Sequence, residues 1–278
     1  MTHTRRQLAE LLEAHDLGPS RALGQNFVVD PNTVRRIARL AGVGPGDHVV
    51  EIGAGLGSLT LALAETGASV VAVEIDRHLR PILEEVVEGL DVRVVAGDAM
   101  ALAWDEVLAG AERWILVANL PYNVATPLVL DLLRDVPAIE RMLVMVQLEA
   151  GERLAASPGT PAYGIPSVKV ALRATARVVG KVGPDVFLPR PRVDSGLVEV
   201  VRLPEPATDA DLAAVEALVE KAFNQRRKML RRSLAGVVDD AAFAAAGIAP
   251  TDRPEQLDVA AWGRLATAIA ATPGAAGA

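Results

Sequence analysis

Apolar positions along the chain gather into short dense runs, and between the runs they recur at helical spacing. The runs His48–Ile52, Ser69–Glu74, Val92–Ala96, Trp114–Ala118, Arg141–Val146, Val168–Val178 and Leu197–Val201 are predicted as strands. Helices are predicted at Ser58–Glu65, His78–Val87 and Thr126–Arg134, and near Glu149–Ala155. An amphipathic helix is expected over Arg5–His15, then a polar loop around Gly24-Gln25-Asn26, then a helix opening at Pro31. This alternation predicts an α/β fold built on a doubly wound, mostly parallel, seven-stranded sheet. The last two strand candidates have no long helix between them, so that edge is expected to be antiparallel. The segment Leu203–Asp209, with two prolines, reads as a linker, and the pattern beyond it is helical to about Ala271. Residues 1–205 are therefore expected to form the α/β domain with an N-terminal helical extension, and residues 206–278 a small helical domain. The tail Thr272–Ala278, made largely of Pro, Gly and Ala, is expected to fray.

The polar residues at the strand ends change the picture most. Open α/β sheets bind ligands at the carboxyl ends of their strands. The first strand runs into Gly53-Ala54-Gly55-Leu56-Gly57, a turn whose glycines let backbone approach a ligand closely. A dinucleotide pattern Gly-x-Gly-x-x-Gly fails here, because Ser58 stands where the third glycine belongs. The actual pattern, Glu51-x-Gly53-x-Gly55-x-Gly57, resembles the first motif of class I S-adenosylmethionine methyltransferases. Glu74 ends the second strand, where a carboxylate can accept hydrogen bonds from both ribose hydroxyls. Asp98 follows the third and can accept from an adenine amino group, although an Asp there also caps helices well. The fourth strand ends in Asn119-Leu120-Pro121-Tyr122. An Asn oxygen can accept from an amine, Pro121 fixes the backbone near the Leu120 carbonyl, and Tyr122 offers a flat face to a flat ring. The set suits methyl transfer to the exocyclic amine of a nucleobase. The alternative for this tetrapeptide is an ordinary strand-to-turn corner.

Composition narrows the classes. With 278 residues, 51% of them hydrophobic, the chain can build a sizeable core. A net charge of −7 gives no global attraction for nucleic acid, so any such role needs a local basic face. Cysteine is absent, which removes disulfides, thiolate metal sites and Cys nucleophiles. The four histidines, at 3, 15, 48 and 78, form no metal pair by spacing. The first 18 residues lack the apolar centre of a signal peptide, and no apolar run has membrane-spanning length. A soluble, cytoplasmic, monomeric protein with no metal and no membrane partner is expected. A local basic face is present: Lys221–Arg232 holds six cations. On a helix at 100° per residue, Lys221, Arg227, Lys228, Arg231 and Arg232 would share an arc of about 140°. Phe223, Leu230 and Leu234 would lie opposite. That arrangement suits phosphate contact, with a solvated charged face as the plain alternative. Arg21, Arg190 and Arg192 could extend it.

Taken together these segments resemble the KsgA/RsmA ribosomal RNA adenine dimethyltransferases. The resemblance is carried by Leu23-Gly24-Gln25-Asn26-Phe27, the glycine turn, Glu74-Ile75-Asp76, Asn119-Leu120-Pro121-Tyr122-Asn123, Pro189–Ser195 and Ala222–Lys228. It implies a Rossmann-like class I methyltransferase domain followed by a helical, RNA-binding domain. It also implies dimethylation of N6 on two adjacent adenosines near the 3′ end of 16S rRNA, within the immature 30S subunit, using S-adenosylmethionine. Cofactor-site residues map onto Asn26, Val28, Gly53, Gly55, Glu74, Asp98 and Asn119. Catalytic residues map onto Asn119, Leu120, Pro121 and Tyr122, and RNA-binding ones onto Arg226, Arg227, Lys228, Arg231 and Arg232. Three departures stand out: Val28 where Leu is usual, Ala22 where a basic residue is frequent, and Leu148 where Lys is common. The alternatives are a large-subunit, Erm-type methyltransferase, a catalytically silent assembly factor and, more distantly, a nicotinamide oxidoreductase.

Overall fold

A computed structural model describes residues 2–271; the tail at 272–278, expected to fray, lies outside the described residues. The strands are β1 (Phe27–Val28), β2 (His48–Ile52), β3 (Ser69–Glu74), β4 (Val92–Ala96), β5 (Trp114–Asn119), β6 (Ile139–Gln147), β7 (Ala174–Val182), β8 (Phe187–Leu188) and β9 (Ser195–Arg202). The helices are α1 (Arg5–Ala14), α2 (Pro31–Ala41), α3 (Ser58–Ala64), α4 (Arg80–Val86), α5 (Trp104–Val107), α6 (Ala125–Asp135), α7 (Leu148–Leu154), α8 (Ile165–Ala171), α9 (Leu212–Phe223), α10 (Leu230–Ser233), α11 (Asp240–Ala246) and α12 (Val259–Ala270). Seven strands form one sheet in the order β4-β3-β2-β5-β6-β9-β7, and β1 pairs with β8 in a two-residue ladder. β2, β3, β4, β5 and β6 run parallel, and β9 runs antiparallel to β6 with Gln147 opposite Ser195. The chain winds outward from β2 to β4 and then returns to the other side of β2 as β5. The order therefore reverses between β2 and β5, the place where such sheets leave a crevice for a ligand.

Local chemistry accounts for the elements. In α2, Asp30 caps the start by accepting from Thr33 N at 2.9 Å, Pro31 takes the first turn, and Gly42 closes the helix at φ 60°. Val34, Ile37, Ala38 and Ala41 face a core shared with Leu59, Leu63, Val49, Val117 and Met145 from α3 and the sheet. The central strands β2, β3, β5 and β6 are apolar and buried on both faces over most of their length, as in sheets covered on both sides. Among the described residues no helix is long and apolar enough to cross a membrane.

The described residues divide into two compact units: the chain up to Gly151 with Arg177–Arg202, and Glu152–Ala176 with the chain from Leu203 onward. The second unit has its own core, in which Tyr163, Val168 and Leu172 join Val219, Leu230, Phe243 and Trp262. The expected boundary at 205 therefore misses an excursion, because 152–176 belongs with the helical segment. The same stretch corrects the strand expected at Val168–Val178. Its first part is α8, and β7 begins only at Ala174. Pro166 sits in the first turn of α8, and the buried Ser167 hydroxyl accepts from Gly164 N at 3.1 Å and donates to Arg153 O at 2.6 Å.

The expected single helix through Lys221–Arg232 is also corrected. α9 ends at Phe223, turns follow, and Met229 is extended before α10. The N–H groups of Leu230 and Arg231 leave the helical ladder and donate to Asp252 O at 2.7 Å and Pro250 O at 3.0 Å. Leu230 and Leu234 are nevertheless buried together in the second unit's core.

Candidate active site

The glycine turn is folded back over β3. Gly53 N and Ala54 N donate to Val73 O at 2.9 and 3.2 Å. Gly55 takes φ +58°, and a Cβ there would stand 3.0 Å from Phe27 Cε1, so close approach and backbone conformation both demand glycine. Gly55 N donates to Glu74 Oε2 at 2.7 Å, and Asp76 N donates to Glu74 Oε1 at 2.8 Å. Glu74 is only 4% exposed. Burial pushes its carboxyl above the usual range, while the two N–H donors pull it back. A carboxylate offers about four lone-pair positions, so acceptor capacity remains for a diol. Beneath the turn, Glu51 is buried and accepts from Thr60 Oγ1 at 2.6 Å, tying the end of β2 to α3. Sequence reasoning gave Glu51 no role; its place two residues before Gly53 is the signal that could have done so.

The loop before β1 supplies the facing wall. Gln25 accepts from Ser20 N at 2.7 Å through Oε1 and donates to Asp76 Oδ2 at 2.9 Å, pinning the loop to the end of β3. Asn119 Nδ2 donates to Asn26 O at 2.9 Å. That bond uses the amide's donor end and leaves Oδ1 without a protein donor among the described residues. Leu120 buries its side chain and donates its N–H to Met145 O at 3.1 Å. Pro121 O accepts from Val124 N and Ala125 N at 3.1 Å each, which launches α6. Tyr122 is half-buried, and its Oη lies 2.8 Å from Ser195 Oγ in a hydrogen bond that either hydroxyl can donate.

These groups line two adjoining hollows that share Leu23, Gly53, Ile75 and Pro121. The larger, about 230 Å³, runs past Ile52, Val73, Asp98, Met100 and Val124. The smaller, about 60 Å³, is walled by Asn26, Gly55, Glu74, Asn119 and Tyr122. Asp98 is exposed, and its Oδ1 accepts from Met100 N at 2.9 Å. Ile75 and Met100, at 48% and 46% exposure, are apolar side chains presented to the larger hollow. Sequence reasoning missed them; the signal was an apolar residue directly or closely after each strand-end carboxylate. An apolar slot with an acidic group at its rim, a buried carboxylate with spare acceptor positions and a bare glycine shelf at Gly53 together fit an adenosine-bearing cofactor. One expected residue does not join the wall: the Val28 side chain is buried in the core beside Val34 and Phe187. The expected cations divide as well. Arg226 is held by Glu255 Oε2 at 2.8 Å and Pro161 O at 2.8 Å. Arg227, Lys228, Arg231 and Arg232 are exposed. No cluster of metal-ligating side chains occurs among the described residues.

Residues 20–271 match the family described as ribosomal RNA adenine dimethylase. The chain belongs to the ribosomal RNA adenine dimethylase family. A ribosomal RNA small subunit methyltransferase A from Kineococcus radiotolerans is 50% identical over 271 residues, covering 94% of this chain and 89% of the relative. One from Streptomyces avermitilis is 48% identical, with 93% and 91% covered. The 23S rRNA methyltransferase ErmE matches with TM-score 0.68 and 28% identity over 88% of this chain and 99% of that one. A dimethyladenosine transferase from Plasmodium falciparum matches in fold, with TM-score 0.70 and 22% identity over 85% and 94% of the two chains. As a member of the dimethylase family, the chain is an S-adenosylmethionine-dependent rRNA adenine dimethyltransferase. The family match begins at residue 20, so α1 lies outside it.

Proposed function

We propose that this enzyme dimethylates N6 of two adjacent adenosines near the 3′ end of 16S rRNA, in the immature 30S subunit. The observation that carries the reading is the Asn119 amide, fixed by Asn26 O so that Oδ1 is the free end on the wall of the cleft. The small-subunit relatives, at 48–50% identity, favour that target over the large-subunit one of ErmE, at 28%.

S-adenosylmethionine, when bound, supplies an electrophilic methyl group. Glu74 would hold its ribose hydroxyls and Asp98 its adenine amine, between Ile75 and Met100, with Gly53, Gly55 and Asn26 as the surrounding wall. The work left to the protein is positioning and charge stabilisation. An N6 amine is a weak nucleophile because its lone pair is delocalised into the ring. Asn119 Oδ1 and the Leu120 carbonyl accept from its two hydrogens, localise the lone pair towards the methyl carbon and stabilise the charge that develops. Tyr122 stacks on the base once it has left its own stack. Such stacking contributes about 1–3 kcal/mol per base. After the first transfer the methylated amine is cationic and releases one proton to solvent, leaving one hydrogen on N6, so the second transfer proceeds with one of the two acceptors. The helical segment from residue 206 onward is assigned to RNA contact, through Arg227, Lys228, Arg231 and Arg232. A cytoplasmic setting follows from the ribosomal substrate.

The test uses labelled cofactor and immature small subunits from a strain lacking the enzyme. Label is expected on N6 of two neighbouring adenines. Asn119→Ala should reduce transfer by about 10²–10³-fold, the scale for removing one preorganised polar group at a developing charge, while leaving subunit binding intact. Undiminished methylation by that variant, or label confined to other sites, would overturn the assignment.

A further inference from the structure

We propose that Ser195 is a positioning residue for methyl transfer, anchoring the outer end of the Tyr122 ring through its hydroxyl. The proposal rests on the reading above, in which Tyr122 stacks on the target base. Three observations support it.

Ser195 is wholly buried, at 0% exposure, and its side-chain hydrogen bond is to Tyr122. A buried hydroxyl costs free energy unless it is paired, so each of these groups makes the other's position favourable. Ser195 also stands on rigid backbone. It opens β9 in register with Gln147, and Leu148 N donates to Asp194 O at 3.0 Å immediately before it. A Cβ on the next residue, Gly196, would meet Leu148 Cδ1 at 3.3 Å and Leu148 Cα at 3.5 Å, so the strand start is pressed against the start of α7. Finally, the arrangement parallels that of Asn119. The amide is oriented by a bond to Asn26 in the loop before β1, and the phenol by a bond to β9. The two groups that would grip the base are thus each tied, by one hydrogen bond, to a different segment of the first unit. Ser195 does not line either hollow, so it acts through Tyr122 rather than by touching cofactor.

The chain has two tyrosines, Tyr122 and Tyr163. Enzyme labelled with 3-fluorotyrosine therefore gives two fluorine resonances, and Tyr122→Phe identifies which is which. Tyr163, whose hydroxyl donates to Leu257 O at 2.9 Å in the second unit, serves as the internal reference. Ser195→Ala should move the Tyr122 resonance and leave that of Tyr163 in place. Burial raises the Tyr122 phenol and the Ser195 bond draws it partway back, so the variant's phenol should also titrate higher. On small subunits lacking the modification, Ser195→Ala should lower kcat about ten-fold, the equivalent of one ordinary hydrogen bond in the transition state. Cofactor affinity should not change. Tyr122→Phe, which keeps the ring and removes the anchor, should show the same loss, and the double variant no more than either. A merely structural role for Ser195 would lower melting temperature without this non-additivity. An unmoved Tyr122 resonance, wild-type kcat in Ser195→Ala, or losses that multiply in the double variant would overturn the proposal. A moved resonance in an enzyme that labels no adenine would instead strike the assigned function and, with it, the catalytic meaning of the anchor.

Discussion

Glu51 is a carboxyl kept from water beneath the glycine turn, at 2% exposure. Burial pushes it from 4.5 to about 8, with the Thr60 bond opposing and the nearby Glu74 charge adding to the rise. Between those two values the folded protein keeps a proton that the unfolded chain releases. Stability from this group is therefore fully present below about pH 4.5, falls as pH rises, and is gone above about pH 8. Glu74, also raised, acts in the same direction. Glu51→Gln keeps an acceptor for Thr60 and cannot ionise, so its stability should fall less steeply across this range. Above pH 8 it should melt higher than the parent, by an amount bounded at a few kcal/mol, since one pKa unit corresponds to about 1.4 kcal/mol. Thermal melts of both proteins from pH 5 to 9 check this, and parallel curves would sink it.

At the scale of elements, Gly263 in α12 sets two effects against each other. Alanine in a helix interior is favoured over glycine by about 0.8–1 kcal/mol. A Cβ at Gly263, however, would clash with Thr208 Oγ1 and lie 2.8 Å from Thr208 Cβ, so the packing there must shift. Overpacking of this kind costs about 1–3 kcal/mol, and the clash should win. Gly263→Ala is expected to be less stable in denaturant melts; a gain in stability would show that the contact is easily relieved. What was legible in the chain follows the same logic of local against distant causes. α2 could be read because its cap, its proline and its closing glycine are all local. The strand-end residues that wall the cleft could be read because each polar group terminates an apolar run. α8 could not be read, because Ser167, Val168 and Val170 are all buried, and a helix with most of its faces covered loses its polar stripe. The break after Phe223 was equally hidden, since Asp252 and Pro250, which take the N–H groups of Leu230 and Arg231, are about twenty residues away. Val28 could be placed near the cofactor only by resemblance, and its own side chain belongs to the core.

For the molecule as a whole, a net charge of −7 repels RNA, so binding must depend on where exposed cations stand. The exposed Arg227, Lys228, Arg231 and Arg232 differ from Arg226, which already has Glu255 and Pro161 O as partners. On the proposed reading, this difference separates charges free to meet phosphate from one that braces the fold. Replacing Arg227 and Arg231 together by Gln should weaken binding to immature small subunits at low salt. It should also flatten the slope of log K against log salt by about 1.4–1.8, at 0.7–0.9 for each phosphate no longer neutralised. Melting temperature and cofactor affinity should stay at parental values, because neither side chain lines the cleft. Arg226→Gln should do the reverse, lowering stability by about 1 kcal/mol or less, as for a partly exposed ion pair, with the salt slope little changed. Filter binding across a salt series, run beside thermal melts, reads both quantities. A double variant whose slope matched the parent's would remove these cations from the RNA interface, whatever happened to its affinity at one salt concentration.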